Sequence, residues 1–224
     1  MPRAQRMGST WIPADWDAPA GIVAGTTLRG ADLEALELPG RPCHLNQVHG
    51  NRVVTAGHYA APPDADASTG RDPGWICVVR TADCLPVLFC ADDGAEIAAA
   101  HAGWRGLAAG VLERTVAAMA TSPGQLHAWI GPAITQPAFE VGAEVRAAFV
   151  DADAEAAVHF LPNPRGRWQA DLPGLARQRL ARLGITRVSG GTLCTFGDPD
   201  RFYSYRRDGQ TGRLYSFVAM LATP

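Results

Sequence analysis

Lysine is absent from this 224-residue chain: all 20 basic residues are arginine, set against 22 acidic ones for a formal charge of −2. That excludes chemistry through a lysine Schiff base, pyridoxal phosphate reactions among them, and any P-loop lysine. Runs of like charge never exceed two residues, which argues against a nucleic-acid or membrane-surface partner. No uncharged apolar stretch reaches 18 residues, so no membrane-spanning helix is expected. The five cysteines, at 43, 77, 84, 90 and 194, form no CxxC and no dense framework. We read them as reduced thiols of a cytoplasmic protein. Gly124, Gly131 and Gly190-Gly191 lack the GxGxxG or Walker spacing, which removes a dinucleotide fold, and no internal repeat is visible. Met1 to Gly8 carry charge with no apolar core behind them, so no targeting leader is expected.

What is present is the composition of a folded globular chain, 47% hydrophobic and 19% charged. A chain this long can bury roughly 70% of its unfolded surface, and one domain spanning 1–224 is expected. Short apolar runs predict strands at 21–28, 52–56, 75–80, 86–90, 96–100, 126–130, 187–196 and 214–221. The runs at 76–79 and 87–90 do not alternate, which predicts strands covered on both faces. Apolar stripes predict helices over 106–120 and 172–183, the second capped by Asp171 and ended by Gly184, with a weaker one over 141–150. The linker-like stretch 60–70 reads as a loop within the domain. Strands and helices mix without strict alternation, so the expected class is α+β with mixed sheets.

Three segments place reactive residues at the ends of predicted strands. They are Asn46 to Asn51 around His49, Arg80 to Pro86 around Cys84, and Ala99 to Gly106 around His101. Cys84 lies in a polar turn, unlike Cys77 and Cys90 in mid-strand. His101 stands where a helix begins, and free N–H groups there lower the pKa of a nearby thiol or imidazole. Two imidazoles and a thiolate suit Zn²⁺ or copper better than Mg²⁺ or Ca²⁺, and three ligands leave a fourth position open. The same residues equally make a Cys–His nucleophile pair without metal. Arg80 and Arg105 flank the trio, and Arg206 or Arg207, in the turn from Ser204 to Gly209, could bind phosphate or carboxylate. Asp64, Asp66 and Asp171 could orient a ligand or cap helices. His44, His58, His127 and His159 have no reactive sequence neighbours.

The segments Gln47-Val48-His49-Gly50, Arg80-Thr81-Ala82-Asp83-Cys84-Leu85-Pro86-Val87, His101-Ala102-Gly103-Trp104-Arg105-Gly106, Ile130 to Ile134, Phe139 to Gly142 and Phe202 to Gly209 resemble the YfiH family. That family is also called the laccase-like multicopper polyphenol oxidase or peptidoglycan editing factor family. The resemblance implies an α+β domain with mixed sheets in a sandwich flanked by helices. It implies His49, Cys84 and His101 as zinc ligands, with copper the other metal. It implies phosphorolysis of adenosine, inosine or methylthioadenosine, with adenosine deamination beside it, and a nucleoside and phosphate as partners; a homodimer is compatible. Copper-dependent phenol oxidation and amide cleavage on a cell-wall precursor are other activities linked to the family. Six histidines cannot build a multicopper cluster, so oxidation ranks low. The zinc deaminase signature HxE with PCxxC is absent too. Beside these enzyme readings stands a non-catalytic metal- or ligand-binding module. The chain departs from the family before residue 40, where the N-terminal segment is atypically short and a pocket-lining loop is shortened.

Overall fold

The unalternated apolar runs lie in strands covered on both faces, and the fold is built around them. The computed structural model describes residues 10–221; Met1 to Gly8 lie outside the described residues. The chain opens with β1 (Trp11–Pro13), β2 (Ile22–Thr27), β3 (Arg41–Cys43), β4 (Val53–Thr55), β5 (Ala67–Gly70), β6 (Trp75–Thr81), β7 (Leu85–Ala91) and β8 (Ile97–Ala102). It turns helical in α1 (Trp104–Ala108) and α2 (Val111–Ala118), followed by β9 (Leu126–Ile130), β10 (Glu140–Val141) and α3 (Ala143–Val150). Then come β11 (Phe160–Pro162), β12 (Trp168–Ala170), α4 (Leu172–Arg182), β13 (Arg187–Gly190), α5 (Tyr205–Asp208) and β14 (Leu214–Met220).

The strands form three sheets, ordered β1-β2-β14-β6-β3, β13-β9-β7-β8-β5-β4 and β10-β12-β11. The two larger ones are mixed. β3 runs parallel to β6, and β13 and β4 run parallel to β9 and β5, while the other pairings are antiparallel. They stack face to face, because alternate residues point to opposite sides of a strand. Cys77 and Val79 of β6 meet Leu88 and Cys90 of β7 between the sheets. Val87 and Phe89 point the other way, into a second core with Leu107, Leu112, Leu175 and Leu180 of the helices. Ile76 and Val78 face a third, smaller core under Leu33, Leu36 and Leu38. The class is therefore α+β, a sandwich of mixed sheets with helices on one side.

Four elements differ from the sequence reading. The helix expected over 106–120 is two helices, broken at Gly110, whose φ of 86° is left-handed and open to glycine without strain. The stretch read as a loop over 60–70 holds β5, buried at every position between β4 and β8. Small residues gave it no hydrophobic signature. The strand expected over 187–196 ends at Gly190, where Gly190 and Gly191 both take positive φ. Val141 pairs in a strand, so only Ala143–Val150 of the third helix is helical. Asp171 does cap α4, its carboxylate accepting the Gly174 N–H at 3.0 Å.

Candidate metal centre

His49 sits in a turn that two side chains hold from opposite directions. Gln47 accepts the Arg80 N–H with Oε1 (2.8 Å) and donates Nε2 to the Arg80 carbonyl (2.9 Å), fastening the turn to the end of β6. On the other side the carboxylate of Asp66, wholly buried just before β5, accepts the successive N–H groups of Val48 (3.2 Å), His49 (2.9 Å) and Gly50 (2.7 Å). This fixes His49 at a φ of 59°. The other non-glycine residue with positive φ among those described is Asp83, at 94°. Such conformations cost roughly 1–3 kcal/mol each and persist where the surroundings over-determine them. Asp83 is held by the hydroxyls of Thr195 (2.6 Å) and Ser204 (3.0 Å) and by the Arg206 N–H (2.7 Å). That anchor aims Cys84, the next residue, from the β6–β7 turn toward His49.

His101, near the C-terminal end of β8, completes the group. Its Nδ1 lies 2.7 Å from Asp66 Oδ1, which leaves Nε2 for the centre. One buried carboxylate thus shapes the His49 turn and orients the His101 ring. The ligand atoms of His49, Cys84 and His101 lie within 4.8 Å of one another, with Cys84 Sγ 4.0 Å from His49 Nε2. The two rings meet edge to face, centroids 4.8 Å apart. Burial alone raises a thiol, but hydrogen bonds and positive charge from His101 and His49 outweigh it and lower Cys84 to about 6. Burial likewise lowers an imidazole, and Asp66 and Cys84 reverse that, raising His101 to about 9.

The trio fits a metal ion by its donor chemistry. Two ligands bonded at about 2.0–2.3 Å to one tetrahedral ion stand roughly 3.5 Å apart, so a contraction of about an ångström closes the site. A carboxylate behind a ligating histidine is the usual outer partner of such a centre. Gly103 leaves the room: a Cβ there would stand 3.0 Å from Cys84 Sγ, 3.3 Å from His49 Cδ2 and 3.5 Å from His101 Nε2. Among the described residues no second group of three such side chains gathers. His44, His58, His127 and His159 join no such group among the described residues.

The trio opens on a cleft of about 710 Å³ walled by Trp104, Ile134, Phe139, Leu172 and Tyr205. That size is ordinary for a small-molecule site. The three arginines singled out from sequence, Arg80, Arg105 and Arg206, all line it, and so does Arg213, which sequence reasoning missed. Arg105 stacks on Trp104 at 4.5 Å and makes no hydrogen bond or ion pair among the described residues. Arg206 stands over Phe139 at 5.4 Å and donates to the Glu140 carbonyl. Arg207 instead holds the carbonyls of Thr195, Phe196 and Phe202, a structural task. Among the described residues none before Gln47 lines the cleft.

The family model described as multi-copper polyphenol oxidoreductase laccase matches residues 27–221. The chain belongs to this family, which its TADCLP and HAGWRG segments resemble. Relatives within it include purine nucleoside phosphorylase YfiH of Escherichia coli K12, 51% identical over 82% of this chain and 76% of that one. Another, purine nucleoside phosphorylase PA4543 of Pseudomonas aeruginosa, is 47% identical over 94% of this chain and 98% of that one. Among solved structures, the Neisseria meningitidis protein NMB0706 superposes with a TM-score of 0.89 at 42% identity, covering 96% of this chain and all of that one. No helix among the described residues is long and apolar enough to cross a membrane.

Proposed function

We propose that this family member is a zinc-dependent purine nucleoside phosphorylase acting on adenosine, inosine or methylthioadenosine, with His49, Cys84 and His101 holding the ion. The observation that carries this reading is the open set of two imidazoles and a thiolate on the floor of a cleft with aromatic walls and guanidinium groups that form no ion pair among the described residues. In phosphorolysis the bond from C1′ of the ribose to the purine nitrogen breaks and a phosphate oxygen bonds to C1′. The purine leaves with the electron pair and takes up a proton. Trp104, Phe139 and Tyr205 offer the purine flat apolar surface. Arg105 and Arg206 hold the phosphate, whose oxygens match the planar guanidinium fork. Asp66 orients His101 through Nδ1 and leaves Nε2 as the ring nitrogen that would bind the ion in exchange for its proton. When bound, the metal supplies Lewis-acid polarisation of an oxygen at its open position. Copper fits less well than zinc, since a copper site of two histidines and one cysteine takes a distant methionine. Met119 and Met220 are instead buried in the cores.

A second reading, a cysteine hydrolase on an amide such as a cell-wall precursor, rests on the same thiol, lowered to about 6 and 4.0 Å from His49. Two measurements decide. Metal analysis of the purified protein should return one zinc per chain with Cys84 resistant to alkylation; a metal-free, alkylatable Cys84 supports the hydrolase. Adenosine should yield adenine and ribose 1-phosphate only when phosphate is present. Inosine and ammonia formed without phosphate mark deamination as a further activity of the site. Absence of any phosphate-dependent product overturns the phosphorylase reading.

A further inference from the structure

The phosphate role of Arg105 and Arg206 leaves two cleft arginines without a task. Arg80, the last residue but one of β6, stands opposite Tyr215 of β14 in the antiparallel ladder. Arg213 lies just before β14, two residues from Tyr215, and lines the same cleft as Arg80. Neither forms an ion pair among the described residues, whereas Arg29, Arg179, Arg187 and Arg207 all do. Arg80 makes one long hydrogen bond, 3.4 Å to the Leu45 carbonyl. Arg213 spends one nitrogen on the carbonyls of Thr211 and Gly212. The remaining N–H groups of both have no partner among the described residues.

Four guanidinium groups line the cleft against a single carboxylate, Asp83. The oxygens of Asp83 are already taken by Thr195, Ser204 and the Arg206 main chain. One phosphate dianion answers two of the four positive charges and leaves the Arg80 side of the cleft unbalanced. Arg80 also forms the shared wall between this cleft and a smaller hollow of about 370 Å³ beside His44, Leu45 and Asn46. A ligand longer than a nucleoside therefore has room in that direction.

We propose that Arg80 and Arg213 form a second anion locus, which takes the phosphoryl group of a phosphorylated nucleoside. The ligand held most tightly is then a nucleoside monophosphate, its base and sugar in the cleft and its phosphoryl group at the rim. The placing of base and sugar rests on the phosphorylase reading; the anion locus itself does not.

Isothermal titration of the zinc-loaded protein in phosphate-free buffer, with AMP and with adenosine, tests this. AMP should bind about tenfold more tightly, as expected of one charge-assisted phosphate contact, and the advantage should shrink with added salt. The ratio of the two affinities should fall toward one in Arg213→Gln and in Arg80→Gln. It should stay at its wild-type value in Arg114→Gln, which removes the same charge from the exposed side of α2. Equal affinity for AMP and adenosine in the wild type overturns the proposal. So does a ratio that Arg114→Gln lowers as much as Arg213→Gln, since that marks only long-range attraction. Inorganic phosphate binding at two sites, one lost in Arg213→Gln, with no advantage for AMP, assigns the locus to free phosphate and overturns it as well. AMP held through Arg80 and Arg213 by a protein that turns over no nucleoside leaves the locus standing and removes the phosphorylase reading instead.

Discussion

Asp66 Oδ1 accepts both the His49 main-chain N–H, at 2.9 Å, and a hydrogen bond from His101 Nδ1, at 2.7 Å. Two of the three proposed ligands, 52 positions apart in the chain, therefore answer to one buried carboxylate. The distance between them is set by hydrogen bonds that exist before any metal arrives.

Asp66→Asn tests that dependence. The amide keeps one acceptor but turns an NH₂ toward the main-chain donors of residues 48–50 or toward the His101 ring, so at least one bond is lost. Losing such an outer partner typically weakens metal binding 10–100-fold. Competition against a chelator should read a loss of that size, with amide exchange at Val48 to Gly50 accelerated. Unchanged metal affinity would falsify the coupling.

The thiols should separate by environment. Cys77 and Cys90 are fully buried in the inter-sheet core, and burial pushes each thiol up to about 12. In chelator-treated protein Cys84 should alkylate readily at pH 7, since thiolate accumulates as pH rises through about 6. Dropping to pH 5 should then slow it about tenfold. Zinc should protect Cys84 alone, while Cys77 and Cys90 stay silent until the chain unfolds. In the alanine series, Cys84→Ala should abolish turnover with little change in Tm. Cys77→Ala and Cys90→Ala should cost about 1–2 kcal/mol of stability. A Cys84→Ala protein as active as wild type removes the trio from the mechanism.

Gly103→Ala adds one methyl group where the three ligands converge. The φ of −57° at Gly103 suits any residue, so the backbone is not strained and the effect comes from contact alone. The new Cβ stands 3.0 Å from Cys84 Sγ, closer than ordinary packing permits. Metal affinity should fall about tenfold while the Tm of the chelated protein barely moves. A Tm loss as large as that of Cys77→Ala instead makes Gly103 a packing residue.

The trio, Arg80 and Arg105 were legible because each sits in a short, distinctive segment at the end of a predicted strand, and Arg206 because it shares a polar turn with a second guanidinium group. The layered core was legible as well, since runs such as 87–90 have no polar face to give to water. What stayed hidden depends on long-range pairing. Asp66 was singled out only as one of three aspartates that could orient a ligand or cap a helix; it stands in an alanine- and proline-rich stretch that carries every local mark of a loop, yet the next residue begins a strand between β4 and β8. Only that neighbourhood turns its carboxylate toward His101. Arg213 was missed for a similar reason: only the pairing of β14 with β6 brings the residues just before Leu214 to the cleft that Arg80 lines. The break at Gly110 was open to view as a glycine, but the apolar stripe ran through it, and the stripe prevailed in the reading.

Arg105 offers the most direct probe of the phosphate. A guanidinium that holds a helix in place needs a carboxylate or a set of carbonyls, as Arg179 has in Glu113 and Arg177 in Val188 and Gly190. Arg105 has neither among the described residues; it rests on the Trp104 ring, facing the cleft. Removing it should therefore leave the Tm within about a degree, because an exposed side chain without a partner contributes little to stability. Its absence should be felt by the anion. Arg105→Ala should raise the KM for phosphate in phosphorolysis at least tenfold, the expected size of one charge-assisted pair. Any deamination by the same protein should change much less, since water rather than phosphate attacks there. Arg105→Lys should recover only part of the loss, because an ammonium is a point charge without the planar fork and stacks poorly on Trp104. Kinetics in both substrates at several phosphate concentrations, run beside a melting curve, separates the outcomes. A parallel fall of both activities together with the Tm returns Arg105 to the fold and leaves the phosphate to be held elsewhere.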